Sequence, residues 1–216
     1  MSYKEKEVSY VSHNTYSTLN TLTKKTKNVW FVCHGMGYLS RYFIKYFDDL
    51  NPDENYIIAP QAPSKYYQWK DFKHVGASWL TKENTAFETK NVLSYLESVL
   101  KQEQLENSSN LIVLGFSQGV SVAMRWVAHY KINCKALIMH SGGIPKELRK
   151  EDFEFLDLKV KAYLIYGTED EFITEERAKT ERDTANALFE DKLVINSFEG
   201  VHEVNIQLLK VISKDF

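Results

Sequence analysis

The chain has 216 residues, with 27 Lys and Arg against 29 Asp and Glu, and this formal charge of −2 excludes nucleic-acid binding driven by bulk positive charge. Apolar residues make up 44% of the chain and charged residues 26%, with 9 Gly and 4 Pro, a composition that excludes a disordered or fibrous protein. The longest apolar runs, 29–33 and 162–166, are far shorter than the ~20 residues of a membrane-spanning helix. We therefore expect one globular domain over residues 1–216.

The N-terminus and the cysteines indicate the cellular compartment. The first seven residues alternate in charge and lack the apolar stretch of a secretory signal, which favours a cytoplasmic location. Cys33 lies in one apolar run and Cys134 just before another. We expect both to be small buried side chains in a reducing compartment rather than a disulfide.

The first predicted element in chain order is an antiparallel hairpin over 7–23, around a turn at His13 and Asn14, that extends the edge of a sheet. Continuous apolar runs then predict strands buried on both faces at 29–33, 56–59, 111–114, 136–139, 161–166 and 193–198. Helical patterns separate them, at 38–50, 82–104, 118–130, 174–189 and 203–213. This alternation predicts an α/β fold with a mostly parallel central sheet and helices on both faces.

The connection from residue 60 to residue 80 has no clear period. It carries two prolines and five large aromatic residues, namely Tyr66, Tyr67, Trp69, Phe72 and Trp79. Long loops in compact domains are usually functional, and this one leaves the carboxyl end of a strand. We predict a long loop that lines the site, with no separate cap domain.

The strand at 111–114 leads into Gly115-Phe116-Ser117-Gln118-Gly119, and a helical pattern follows at once. Gly-x-Ser-x-Gly between a strand and a helix is typical of a nucleophile elbow, a strained turn that exposes the serine hydroxyl. Glycines are needed there because a Cβ at either flanking position would collide with the neighbouring helix or strand. The sequence therefore predicts Ser117 as a nucleophile, the alternative being a glycine-lined turn without catalysis.

A serine nucleophile needs a base, and histidine has a suitable ordinary pKa. His202 lies in the predicted turn between the last strand and the last helix, at the same sheet edge as Ser117. His140 ends a strand at that edge and is the second candidate, while His74 in the long loop has no motif around it. His13 and His129 are expected at the surface.

The base needs a carboxylate to hold its tautomer. Asp170 follows the strand at 161–166, and the chain order Ser117, Asp170, His202 is that of an α/β-hydrolase triad. Glu169 and Glu171 remain alternatives, as does an acidic loop without catalytic function.

Hydrolysis also needs backbone N–H donors for an oxyanion. His34-Gly35-Met36-Gly37 follows the strand at 29–33 and matches the loop that supplies one donor, while the residue after the nucleophile supplies the other. We assign these donors to Met36 and Gln118 and expect His34 to brace the loop. An ordinary glycine turn is the alternative at His34 and Gly35.

These motifs together make the sequence similar to small serine esterases of the α/β-hydrolase superfamily, in the carboxylesterase and acyl-protein thioesterase branch. The matching pieces are residues 34–37, 59–63, 115–119, 141–142 and 167–170 and His202, which span about 29 to 213. The resemblance implies hydrolysis of carboxylic esters or thioesters through an acyl-enzyme, with no cofactor. The chain departs from the family at Gly37-Tyr38, where Gly-Asp is common, and around Trp69.

We expect the substrate to be a small-molecule ester with a small or medium acyl chain. The loop 60–80, through Trp69 and Trp79, should form one wall of the acyl pocket, with Tyr38 and Ile144 as further substrate contacts. A loop whose aromatic side chains only pack it onto the body is the alternative. The sequence indicates no oligomeric state.

Other classes of function fit the sequence less well. A catalytically silent hydrolase fold that binds a small molecule would not need the triad and both oxyanion glycines. A metal hydrolase is disfavoured because no two histidines lie at i, i+4 and the cysteines are isolated, and no phosphate-binding Gly-x-x-x-x-Gly-Lys run occurs.

Overall fold

A computed structural model describes residues 3–106 and 108–215 and contains one large sheet and a small hairpin. The strands are β1 Tyr16–Leu19, β2 Asn28–Cys33, β3 Asn55–Pro60, β4 Ser64–Tyr67, β5 Val75–Ser78, β6 Leu111–Phe116, β7 Ala136–His140, β8 Lys161–Gly167 and β9 Leu193–Phe198. The large sheet has seven strands in the order β1-β3-β2-β6-β7-β8-β9, and β4 pairs with β5 alone. All neighbours in the large sheet are parallel except β1 and β3.

Helices cover both faces of this sheet, as predicted. They are α1 Ser40–Phe43, α2 Thr85–Gln102, α3 Gln118–Tyr130, α4 Glu175–Phe189 and α5 Ile206–Ile212. Side chains of α2, α3 and α4 share one buried cluster with the sheet, and those of α1 and α5 share the other. Every residue of β2, β3, β6 and β7 is buried, which explains why these strands are continuous apolar runs rather than alternating ones.

Local signals set where the helices begin. Thr174 caps α4, since its side chain accepts a hydrogen bond from the Arg177 N–H, as its sequence context predicts. The helix predicted over 203–213 begins later, at Ile206, because the Asn205 side chain caps it by accepting from the Leu208 N–H at 2.9 Å. The helix predicted over 38–50 is shorter and continues from α1 as a 3₁₀ turn, Ile44–Phe47.

The antiparallel hairpin lies elsewhere than predicted. Within 7–23 only β1 is a strand, and it extends the sheet edge by pairing with β3. Asn14 makes no hairpin turn, because its side chain donates to the Gln61 carbonyl at 2.7 Å and so ties the chain to the end of β3. Val8 and Tyr10 are 81% and 83% exposed and have no apolar surface to hold a partner strand.

The hairpin is instead β4–β5, inside the segment predicted as a long loop. Ser64 lies opposite Ser78 and Tyr67 opposite Val75 in its register. The sequence pattern did not show it because all four residues of β4 are exposed, so no alternation of buried and exposed side chains marks the strand.

Parallel strands all end at one edge of the sheet, and this edge brings distant segments together. The residues after β2, β6, β8 and β9 therefore meet, and these are the four segments that the sequence motifs single out. Among the residues that the structure describes, no helix is long and apolar enough to cross a membrane.

Candidate active site

Ser117 lies between β6 and α3 in a backbone conformation that non-glycine residues rarely adopt, with φ 52° and ψ −120°. Its N–H donates to the His140 carbonyl at 2.9 Å, which holds the turn against the end of β7. A strained turn that persists under such restraint is typical of a functional site, and this one matches the predicted nucleophile elbow.

Neighbouring glycines allow the chain to pack closely around this turn. A Cβ on Gly115 would lie 2.4 Å from Cα of Val120, and one on Gly119 would lie 2.0 Å from the carbonyl oxygen of Cys33. Both distances are far below contact between a side chain and backbone. The elbow therefore needs these glycines for close approach to the helix and to β2, as the motif predicts.

The structure brings the three predicted triad residues together. Nε2 of His202 lies 2.9 Å from Oγ of Ser117, and its Nδ1 lies 2.7 Å from Oδ2 of Asp170. The imidazole therefore bridges the hydroxyl and the carboxylate, although the three residues come from three different strand ends.

The Asp170 carboxylate is buried and well restrained. Its Oδ1 accepts from the N–H groups of Phe172 and Ile173 at 2.8 and 3.1 Å, which leaves Oδ2 facing His202. The alternative acids, Glu169 and Glu171, are both exposed. The loop after β8 thus presents one carboxylate to the histidine.

Sequence reasoning missed Phe172 as part of this site. Its ring meets His202 edge-on with centroids 4.8 Å apart, and the Phe116 ring lies 5.1 Å from the same imidazole. Phe172 is 55% exposed, so it forms an apolar rim beside the imidazole. Its position two residues after the acid was the only available signal.

His140, the second candidate base, is engaged elsewhere. It is completely buried, its Nε2 accepts from the Asn205 N–H at 3.0 Å, and its Nδ1 lies 3.1 Å from Oγ of Ser141. Burial lowers the pKa of this imidazole to about 3, so it stays neutral. Its contacts join the end of β7 to the loop that carries His202.

His34 braces the loop after β2, as expected. Nδ1 lies 2.8 Å from the Gly35 carbonyl, and Nε2 accepts from the Ala62 N–H at 3.1 Å, which fixes the neutral tautomer with the proton on Nδ1. Burial lowers the pKa of His34 to about 4. This neutral ring links the loop to the end of β3.

Met36 and Gln118, the predicted oxyanion donors, both lie next to residues at the nucleophile turn: Gln118 follows Ser117, and Met36 follows Gly35. A Cβ on Gly35 would come within 3.2 Å of Cβ of Ser117, so the loop passes directly beside the nucleophile. In the part of the chain that the structure describes, neither the Met36 N–H nor the Gln118 N–H donates to a protein acceptor. Two unused N–H groups beside a candidate nucleophile suit a developing oxyanion.

The predicted substrate contacts divide into accessible and buried residues. Trp69 is 63% exposed, and Tyr38 is half-buried against Phe116. Ile144 is buried at the wall of a cleft of about 560 Å³ between α3 and α4. Trp79 is a correction, because it is completely buried and its indole N–H donates to the His34 carbonyl at 2.7 Å. It supports the loop after β2 and presents no surface to a substrate.

The sequence model of the phospholipase/carboxylesterase family matches residues 14–215. The chain belongs to this family. The resemblance drawn from its motifs is thus confirmed, and membership of the phospholipase/carboxylesterase family supports a hydrolase.

Solved structures show the same fold. Esterase PE8 is 19% identical with a TM-score of 0.71, over 94% of this chain and 99% of that one. Acyl-protein thioesterase 2 of Zea mays is 17% identical with a TM-score of 0.67, over 94% and 97% of the two chains. A phospholipase/carboxylesterase of Dyadobacter fermentans is 17% identical with a TM-score of 0.65, over 94% and 98%. Among curated proteins no sequence matches significantly.

The two buried histidines should make the fold sensitive to acid. An unfolded histidine takes up a proton near pH 6.5, whereas His140 and His34 do so only at about 3 and 4 in the folded protein. The unfolded state therefore binds more protons below pH 6.5, and each histidine should lower the free energy of unfolding by about 2 kcal/mol between pH 7 and pH 5.

Urea unfolding of the wild type and of His140→Gln at pH 7 and pH 5 measures this effect. The variant should lose less stability on acidification than the wild type, and His129→Gln, at the exposed end of α3, serves as the control. Equal losses in wild type and His140→Gln would contradict the assignment of a buried neutral imidazole.

Proposed function

We propose that this protein is a serine hydrolase that cleaves a small or medium-chain carboxylic ester or thioester through an acyl-enzyme intermediate. The observation that carries the proposal is the continuous line of contacts from Oγ of Ser117 through His202 to Asp170, at 2.9 and 2.7 Å. The buried carboxylate sets the tautomer and orientation of the imidazole by accepting a hydrogen bond from its Nδ1–H.

In the acylation step Oγ of Ser117 attacks the ester carbonyl carbon while its proton passes to Nε2 of His202. The carbonyl oxygen becomes an oxyanion between the N–H groups of Met36 and Gln118. Collapse of this intermediate breaks the bond to the alcohol or thiol, which leaves with the proton from His202. A water molecule then attacks the acyl-enzyme in the same manner and releases the acid.

The apolar rim around the site favours an acyl chain over a charged substituent. Met36 and Phe172 are 61% and 55% exposed beside the catalytic residues, and Trp69 is exposed on the hairpin. Apolar side chains that remain in water in the free protein gain free energy when an acyl chain covers them. We therefore assign the acyl group to this rim.

The nucleophile and base can be tested together. Ser117→Ala and His202→Ala should each lower kcat by roughly 10³- to 10⁶-fold, because triad residues act as a unit. A fluorophosphonate probe should label the wild type and Ser98→Ala, a distant serine of α2, but not Ser117→Ala. A wild type that is neither active nor labelled would support the alternative of a catalytically silent binding protein.

The acid has two neighbours that serve as matched controls. Asp170→Asn should lower kcat at least ~10²-fold, because the amide cannot hold the required tautomer, whereas Glu169→Gln and Glu171→Gln should retain activity. Steady-state kinetics with one ester substrate compare the three variants. Near-wild-type turnover in Asp170→Asn would move the role of the acid to another residue.

The apolar rim of Met36, Phe172 and Trp69 predicts a change in chain-length preference when one of its side chains is removed. Trp69→Ala should lower kcat/KM for an octanoyl ester more than for an acetyl ester, since each buried methylene contributes up to about 0.8 kcal/mol. Tyr130→Ala, at the opposite edge of the sheet, should leave the ratio of the two kcat/KM values unchanged. Equal losses for both esters in Trp69→Ala would show that this side chain makes no contact with the acyl chain.

A further inference from the structure

The β4–β5 hairpin forms hydrogen bonds with the loop that carries the Met36 N–H. Both backbone polar groups of Gly37, the next residue, bond to the hairpin. Its N–H donates to the Ala77 carbonyl at 2.8 Å, and its carbonyl accepts from Nε2 of Gln68, also at 2.8 Å. The orientation of the peptide that follows Met36 thus depends on the hairpin.

Packing at this contact leaves no spare space. A Cβ on Gly76 would lie 2.7 Å from the Gly37 carbonyl oxygen, and Gly37 itself has φ +89°, a conformation that favours glycine. Close approach on one side and a directed hydrogen bond from Gln68 on the other restrain the loop in one position.

The residues that follow β5 bond to the side chain of Gln118, whose N–H is the second proposed donor. Oε1 of Gln118 accepts from the Trp79 N–H at 2.8 Å, and its Nε2 donates to the Leu80 carbonyl at 2.7 Å. One segment, 68–80, therefore bonds to Gly37, the residue after Met36, and to Gln118 itself. Among the described residues, no other segment makes side-chain hydrogen bonds with both Gly37 and Gln118.

We propose that the hairpin is the element that positions the oxyanion hole, and that Gln68 is a positioning residue that sets the Met36 N–H through the Gly37 carbonyl. This inference rests on the proposed function. Gln68 is exposed, so its bond to Gly37 contributes little to the stability of the fold. A displacement of the loop nevertheless weakens an interaction that forms fully only in the transition state.

Two variants of Gln68 separate positioning from structure. Gln68→Ala removes the side chain, and Gln68→Glu keeps its size but cannot donate to a carbonyl at neutral pH. Each should lower kcat about 10-fold, which is less than the ~10²-fold loss that follows complete removal of an oxyanion donor. KM and the midpoint of thermal unfolding should stay close to the wild-type values.

The decisive readout is the affinity for a trifluoromethyl ketone, which adds to the serine as a tetrahedral oxyanion. Its inhibition constant should rise by the same factor by which kcat/KM falls, because both depend on the two N–H donors. Fluorophosphonate labelling should still reach completion in both variants, since the nucleophile is intact. Gln102→Ala, an exposed glutamine at the far end of α2, is the matched control.

Three results would overturn the inference. Wild-type kcat and ketone affinity in both variants would show that Gln68 does not position the loop, and a raised KM with unchanged kcat would make it a substrate contact. A lowered unfolding midpoint that accounts for the loss would make it structural. A wild type without activity or labelling would instead reject the proposed function, and this inference with it.

Discussion

The whole site depends on backbone segments that approach one another more closely than side chains permit. The turn at Ser117 fits between β2 and the loop after β7 only because Gly119 and Gly142 have no Cβ, which would lie 2.0 and 2.2 Å from backbone oxygens. The strained φ of Ser117 is tolerated because its N–H is held by the end of β7. The geometry of the candidate site is thus a property of the packed sheet rather than of a flexible loop.

Burial gives the histidines of this region different tasks. His34 and His140 are completely buried and kept neutral, so each joins two loops through one donated and one accepted hydrogen bond. His202 stays partly exposed, with 18% of its side chain accessible, and contacts both the hydroxyl and the carboxylate. The same residue type therefore serves as a brace where it is enclosed and as a candidate base where it reaches the surface.

The sequence predicts the features that depend on local rules. Continuous apolar runs located six strands of the large sheet, although β9, at its edge, is half-exposed rather than buried on both faces as predicted. The motif at 115–119, with the chain order of Asp170 and His202, predicted the residues that the structure brings together. The burial of Trp79 could not be predicted because its environment comes from segments distant in the chain, and the β4–β5 hairpin could not be predicted because all four residues of β4 are exposed. An aromatic residue in a loop looks the same whether it lines a pocket or, like Trp79, fills the core beneath one.

The hairpin segment has a part that contacts Gly37 and Gln118 and a tip that does not. Its two strands are antiparallel, with Ser64 opposite Ser78 at the base of the hairpin. The Gln68 N–H donates to the His74 carbonyl at 2.9 Å, and this bond closes the tip. Residues 69–73 lie beyond this closure, so insertions or exchanges there leave the contacts to Gly37 and Gln118 in place. The tip can therefore change its sequence and length, and carry a different recognition surface, without altering the geometry of the candidate site.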